Sequence, residues 1–404
     1  MKTQDNCKMK QNARRTVNPI APGAKSLARL LLIAAALAWA GTAPAGQTGI
    51  GGKRGVDTMT INLYVGGGTE RVLALDPTDP NYVSNLVYTV TGIYYEIGAS
   101  QPAVRLQGVA DRIAATMPDI VAVQEASLIR LQSPGDLVVG GTTPATNVVF
   151  DYLAILMNAL QARGAHYAVA STADEMDIEL PMFNLQTGTM DDARLTDREA
   201  ILVRADLPPG QLRITNPQSG NFASAIPLPA LGLSVRRGWC SVDAFIRGQD
   251  LRFICTHLEE ETAPQIQLLQ AQELLNGPAN VKLPVVLGGD FNADPLQRNG
   301  TQTCDALFAA GFKDAWAITH PADPAGGLTW GHDEFLADPA AAFVWRIDLV
   351  LFRGEGFAPT YADVVDSGLN RTQPPLWGSD HAAVTAGFLI QRAPFVKAAA
   401  RSSK

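Results

Sequence analysis

The sequence is poor in the residues that build several common centres. Its 404 residues include only four cysteines, and no two have metal-ligand spacing. Cysteine-built zinc and iron–sulfur sites are therefore not expected. A membrane-spanning run is also missing, because the apolar stretch Leu30 to Ala40 is too short to cross a bilayer comfortably. Lys8, Lys10, Arg14, Arg15, Lys25 and Arg29 precede it, and Ala43-Pro44-Ala45 offers a small-x-small cleavage site. Residues 1–45 are therefore expected to be an export signal, giving a periplasmic or extracellular protein with no stable membrane span. No cysteine follows the apolar run, so no lipid anchor is expected. Positive charge is scarce as well. Residues 1–45 hold seven Lys/Arg and one Asp/Glu, which leaves 25 basic against 38 acidic residues, a net −13. Such a surface has no electrostatic reason to hold a polyanion, so a nucleic acid would need a local basic groove or divalent cations.

What is present is an exported-size α/β chain with 47% hydrophobic residues, enough for a sizeable core. Residues 46–58, rich in glycine and polar groups, read as a flexible leader, residues 59–391 as one catalytic domain, and 392–404 as a frayed tail. There is no internal repeat. Strands are expected over Met59–Val65, Asp119–Val123, Tyr167–Ser171, Glu199–Val203, Phe343–Phe352 and Ala383–Ile390. Trp239–Ile246 and Leu251–Thr256 form a hairpin. Helices are expected over Val104–Met117, Tyr152–Gln161, Pro264–Leu275 and Cys304–Ala309. Residues 133–147, the acidic stretch 174–192 and the Pro/Gly/Asn-rich stretch 208–232 read as loops, while 76–102 give no clear periodicity. Export implies an oxidising compartment, and Cys240 and Cys255, on facing hairpin arms, are expected to form a disulfide.

The chain is organised around Val285-Val-Leu-Gly-Gly-Asp-Phe-Asn-Ala-Asp-Pro295. A short apolar run reads as a strand buried on both faces. Two glycines then let the backbone turn, and period-two geometry points Asp290 and Asn292 the same way. Alone, the stretch could be a strand followed by an Asx turn. Other polar residues stand at or near strand ends too: Asn62, Glu125, His257, Asp348, Asp380 and His381. Carboxylates for a cation, histidines near neutral pKa and amides to polarise oxygens make up a kit for metal-assisted hydrolysis of a phosphate ester. His166, His320 and His332 are expected to be ordinary satisfied groups.

The ordered set Asn62, Gln124-Glu125, Thr256-His257, Gly289-Asp290-Phe291-Asn292, Arg346-Ile347-Asp348 and Ser379-Asp380-His381 resembles the endonuclease/exonuclease/phosphatase superfamily, which includes pancreatic deoxyribonuclease and bacterial sphingomyelinase. The resemblance implies a four-layer α/β sandwich, two mainly antiparallel sheets face to face with helices outside. It implies that Glu125 binds Mg²⁺ or Mn²⁺, with Asn62, Asp290 and Asp380 close to the ion. Asp290 would orient or deprotonate the attacking water, and Asn292 would donate to a phosphoryl oxygen. His381, held by Asp348, would act on the water or the phosphoryl group. His257, with Asp197 as partner, would steady the phosphorus or protonate the leaving group.

Deoxyribonuclease-like members carry an arginine shortly after Gln-Glu. Here Ala126-Ser127 follows, and Arg130 lies too far on. Residues 66–103 and 126–150 exceed a minimal member and are expected to wall the substrate cleft. The expected activity is in-line hydrolysis of a phosphodiester by a monomer. A nuclease comes first, and a sphingomyelinase-like lipid-headgroup or inositol phosphate phosphoesterase second. Lipid action would call for an exposed aromatic hairpin, for which only Tyr82–Tyr95 is available. A catalytically silent binding module on the same fold is the reading of another class.

Overall fold

The computed structural model of the chain describes residues 55–338, 343–366 and 375–390. The chain begins with β1 (Gly55–Asn62), followed by α1 (Glu70–Leu73), α2 (Tyr82–Ala99) and α3 (Pro102–Thr116). Strands β2 (Ile120–Gln124), β3 (Leu128–Gln132) and β4 (Asn147–Asp151) lead to α4 (Tyr152–Ala162). A long hairpin, β5 (Tyr167–Asn184) and β6 (Thr189–Arg204), precedes β7 (Leu212–Asn221) and the short pair β8 (Ile226–Leu228) and β9 (Leu233–Val235). Next come β10 (Gly238–Ile246), β11 (Gln249–His257), α5 (Pro264–Asn276), β12 (Val285–Asp290), α6 (Thr303–Ala309), β13 (Lys313–Asp314) and α7 (Ala315–Thr319). Strands β14 (Asp348–Arg353), β15 (Phe357–Val365) and β16 (Ala383–Ile390) finish the fold.

Two sheets carry it. One has the order β15-β16-β1-β2-β6-β3-β4 with β5 beside β6; the other runs β13-β14-β12-β11-β10-β7. The continuous apolar strands are explained by burial on both sides. In β2, Ile120 and Ala122 point inward to the core between the sheets, while Val121 and Val123 point outward under α3 and α4. In β12, Val286 points inward, and Val285 and Leu287 pack outward against α5 and α6. Each strand thus buries both alternating faces, which gives the four layers implied by the resemblance.

Several local expectations are corrected. β1 begins at Gly55, inside the stretch read as a flexible leader. Residues 76–102 contain α2, whose Leu86, Val90, Ile93 and Ile97 are buried at helical spacing among tyrosines that blur the pattern. Tyr82–Tyr95 is therefore helix, not hairpin. The acidic stretch 174–192 is strand because its charges pair across the ladder, with Asp177 held by Arg130 and Arg194. Residues 212–221 form the edge strand β7, where Pro217 costs no central ladder bond and Asn216 at φ 51° marks a register shift. The strand expected from Phe343 begins only at Asp348. β15 was not foreseen.

Gly289 does not turn the chain. It stays in β12, and a Cβ there would lie 2.2 Å from the Thr256 carbonyl oxygen. The glycine serves close strand approach. Cys240 and Cys255 do sit opposite each other in register, but both are free and buried. Polar partners hold the second sulfur instead: Cys255 Sγ lies 2.9 Å from Glu199 Oε2 and 3.2 Å from Gln124 Nε2. The export signal, the first residues of the leader (46–54) and the tail lie outside the described residues.

Candidate active site

Strand register sets the row of functional groups. β11 and β12 run parallel with His257 beside Asp290, and β12 and β14 run antiparallel with Asp290 beside Asp348. Three neighbouring strands thus deliver an imidazole and two carboxylates in one line. The other sheet contributes from the same rim. β1 and β2 are parallel and end together at Asn62 and Gln124. Glu125 follows at φ 51°, a left-handed conformation that is uncommon outside glycine and recurs at functional sites.

The two sheets meet at Asp290. Its Oδ2 accepts from Asn62 Nδ2 at 3.0 Å and lies 3.6 Å from His257 Nε2 and 3.7 Å from His381 Nε2. Asp290 Oδ1 accepts from the Asn292 backbone at 2.9 Å, so the Asx turn is present as well, and Asn292 has φ 46°. His381 Nδ1 lies 2.8 Å from Asp348 Oδ2, and Asp380 Oδ1 lies 3.8 Å from His381 Nε2. Asn292 Nδ2 is 3.2 Å from His257 Nε2 and donates to Leu258 O. Glu125, Asn62, His257, Asp290, Asn292, Asp348, Asp380 and His381 therefore stand together.

One expectation gains detail and one changes. Asn62 turns its amide nitrogen to Glu125 Oε1 and Asp290 Oδ2, each at 3.0 Å, while its oxygen accepts from the Tyr64 backbone at 2.8 Å. Beyond standing close to the expected ion, it ties the two carboxylates together through its nitrogen. Asp197 does not pair with His257. It accepts from Ser127 at 3.2 Å and faces Arg237 at 3.8 Å. Arg237 Nη1 stands 3.1 Å from His257 Nδ1. A guanidinium only donates, so Nδ1 accepts and the ring proton sits on Nε2 facing Asp290 Oδ2, which leaves the Asn292 amide nitrogen donating to Leu258 O and not to the ring.

Electrostatics follow from burial and crowding. Burial, then the charges of Asp197 and Asp380, push the Glu125 carboxyl up to about 8. Burial and Asp348 push Asp290 up to about 7. Burial likewise raises Asp380. His257 is driven well below the usual imidazole range by burial and by Arg237. Burial pulls His381 down too, but Asp348, Asp380 and Asp290 outweigh it and hold it well above that range. The two histidines are thus split into a neutral donor and an imidazolium.

The donor set fits a divalent cation. Glu125 Oε1 and Asp290 Oδ2 converge on the Asn62 amide nitrogen at 3.0 Å each, and the charge of Asp380 is felt at Glu125. Asp290, Asp348 and His381 also lie within 4.8 Å of one another, but there the His381 imidazolium already supplies positive charge. Oxygen-rich, crowded carboxylates suit Mg²⁺ or Mn²⁺. Glu175, Glu199 and His257 also cluster, but there the positive charge is already supplied by Arg237, and burial raises both glutamates.

Two residues escaped the sequence reading. Buried Arg105 donates to the carbonyls of Leu63, Tyr64 and Gly378, clamping the loop after β1 to the loop before β16. Its signal was there: it lies on the apolar stripe of α3, four residues before Val109. Arg237, in Val-Arg-Arg-Gly-Trp, gave none.

A profile described as the Endonuclease/Exonuclease/phosphatase family matches residues 59–381. No curated protein matches the chain. Solved structures with similar folds include a protein of that family from Leptotrichia buccalis, at 14% identity, 82% of this chain, 98% of that chain and TM-score 0.48. One from Bacteroides thetaiotaomicron is 15% identical over 84% of this chain and 98% of its own, with TM-score 0.49. A mannosyl-6-phosphatase from the same organism is 16% identical over 83% and 99%, with TM-score 0.47.

Proposed function

The chain belongs to the Endonuclease/Exonuclease/phosphatase family and is a phosphoester hydrolase, and from that premise we propose an exported phosphodiesterase that works with Mg²⁺ or Mn²⁺. The observation that carries the reading is the position of Asp290 Oδ2, within 3.7 Å of Asn62, His257 and His381 at the junction of the two sheets. Glu125, Asp290 and Asp380 would hold the ion, which when bound supplies a Lewis acid for the phosphoryl oxygens.

Asp290 takes the proton of the attacking water, with Asn62 fixing its Oδ2 in place and His257 standing beside it. The water oxygen bonds to phosphorus while the ester oxygen opposite it departs, with no covalent enzyme intermediate. His381, kept protonated by Asp348, donates through Nε2 to the phosphoryl group. His257 donates its Nε2 proton in a hydrogen bond as a neutral ring, which steadies the charge on phosphorus rather than protonating the leaving group. Asn292 adds a second donor.

A nuclease, the first reading from sequence, needs cations along a groove. Most arginines around the site are engaged within the protein: Arg105 by backbone carbonyls, Arg130 by Asp177, Arg198 by Asp151 and Arg237 by Glu259, while the exposed Arg236 donates to the Ser234 hydroxyl. A small or amphiphilic phosphodiester suits this surroundings better than a polyanion. Export rests on the pattern of residues 1–45, and amino-terminal sequencing of the mature protein should begin near Gly46. One panel tests the activity: bis-p-nitrophenyl phosphate, plasmid DNA, RNA, sphingomyelin and inositol phosphates, with Mg²⁺, Mn²⁺ or chelator. Expected is metal-dependent diester hydrolysis that Asp290→Ala lowers by orders of magnitude. Turnover surviving that substitution refutes the reading.

A further inference from the structure

Glu125 and Asp197 line a cleft whose other walls are mostly aliphatic, with a cavity volume of about 160 Å³. Three parts of the chain supply its walls. Val72 and Ile93 come from α1 and α2, Ile178 and Leu195 from the β5–β6 arm, and Leu231 and Val235 from the turn and strand at β8–β9. The charged lining is Glu70, Glu125, Asp197, Glu259 and Glu260 with Arg236 and Arg237, five carboxylates against two guanidiniums. The cleft thus has a largely aliphatic lining and touches the site through Glu125, while Asp290 and His381 lie beyond it.

Its chemistry selects an occupant. Nucleobases carry polar edges and are held by stacking on aromatic rings beside a basic track. Here Tyr94 is the one aromatic lining residue among the described residues, and the Arg237 guanidinium is surrounded by Asp197, Glu259 and Glu260. Branched aliphatic walls instead match an unbranched hydrocarbon. The volume is comparable to that of an engineered apolar cavity that takes up benzene, so a group of about six carbons fills it.

We propose that this cleft binds the aliphatic chain of an amphiphilic phosphodiester, one ester arm of phosphorus lying along it while the phosphoryl group sits at Asp290 and His381. The inference rests on the phosphodiesterase reading and narrows its substrate to lipid-like diesters. It also gives a purpose to the insertion carrying α1 and α2: that insertion makes a wall.

The test uses alkyl p-nitrophenyl phosphates with ethyl, butyl and hexyl chains, kept below their micellar concentrations. Water adds to phosphorus, p-nitrophenolate departs and the alkyl phosphate is released. Expected is a kcat/KM that rises roughly fourfold per methylene, in KM rather than kcat, up to hexyl. Ile178→Glu and Leu231→Glu, both away from the reacting groups, should flatten the series while leaving the ethyl ester unchanged. Calorimetric titration with hexyl phosphate provides a readout independent of turnover. Hydrolysis with no chain-length dependence overturns the cleft assignment alone. Chain-dependent binding that Ile178→Glu abolishes, without hydrolysis of any ester, overturns the phosphodiesterase reading alone. Neither binding nor hydrolysis overturns both.

Discussion

Asp348 holds His381 at 2.8 Å and is the first-ranked of the carboxylates that keep that ring protonated. Asp348→Asn should therefore cost about 10²-fold to 10⁴-fold in kcat, the scale of a mispositioned acid–base group. The sign of its pH effect is fixed. Activity that needs imidazolium is lost as pH rises through the His381 pKa, and the substitution lowers that pKa. The alkaline limb of the rate profile should move to lower pH. A limb left in place would remove His381 from the proton-dependent step. Gly289 gives a second residue-level outcome. Its missing Cβ leaves room for the Thr256 carbonyl, so Gly289→Ala should destabilise the fold by roughly 1–3 kcal/mol in denaturant titration.

Among the elements, the segment 329–338 is tied alongside the catalytic loop. Ala382 donates to Thr329 O at 2.7 Å, and His332 sits between Asp338 at 3.0 Å and Asp366 at 3.4 Å. Burial lowers the His332 pKa, but hydrogen bonds to Asp366 and Asp338 win and raise it. A raised folded-state pKa stabilises below the unfolded value of about 6.5 and loses that contribution as pH climbs through the folded value. Melting temperature should therefore fall over that window in the wild type, and less so in His332→Gln. Equal falls in both would show that the ring contributes nothing. The thiols answer to a similar test at this scale. Cys240, Cys255 and Cys304 should all react with a thiol reagent in unreduced protein, but only after unfolding.

The strands and helices that deliver chemistry were legible because each is short, apolar and ends in a polar pair, as at Val285–Asp290 and Ile120–Gln124. What misled was polarity without context. Asp177 reads as loop until Arg130 and Arg194 are known to lie across from it. The tyrosines of α2 hide a helical stripe that only a neighbouring strand reveals. The partner of His257 was invisible for the same reason, since Arg237 reaches it through sheet pairing and not through spacing in the chain.

For the whole molecule, the cation and the proton compete. Glu125 and Asp290 titrate at about 8 and about 7, above their unfolded values, so the folded protein binds extra protons from roughly pH 4 upward and becomes less stable as pH rises toward those values. A divalent ion replaces those protons. Mn²⁺ should raise the melting temperature more at pH 8.5 than at pH 6, and Glu125→Ala should abolish most of the difference. A gain independent of pH would place the ion elsewhere.

The outermost ends of the described chain meet in one sheet. β1 pairs directly with β16, Ser379 donates to Asn62 O at 2.7 Å, and Arg105 bridges both loops. The rim can therefore close only once β16, more than 300 residues beyond β1, has taken its place. Until then β1 has only β2 beside it and the site lacks Asp380 and His381, so activity arrives all at once with the last strand of the sheet.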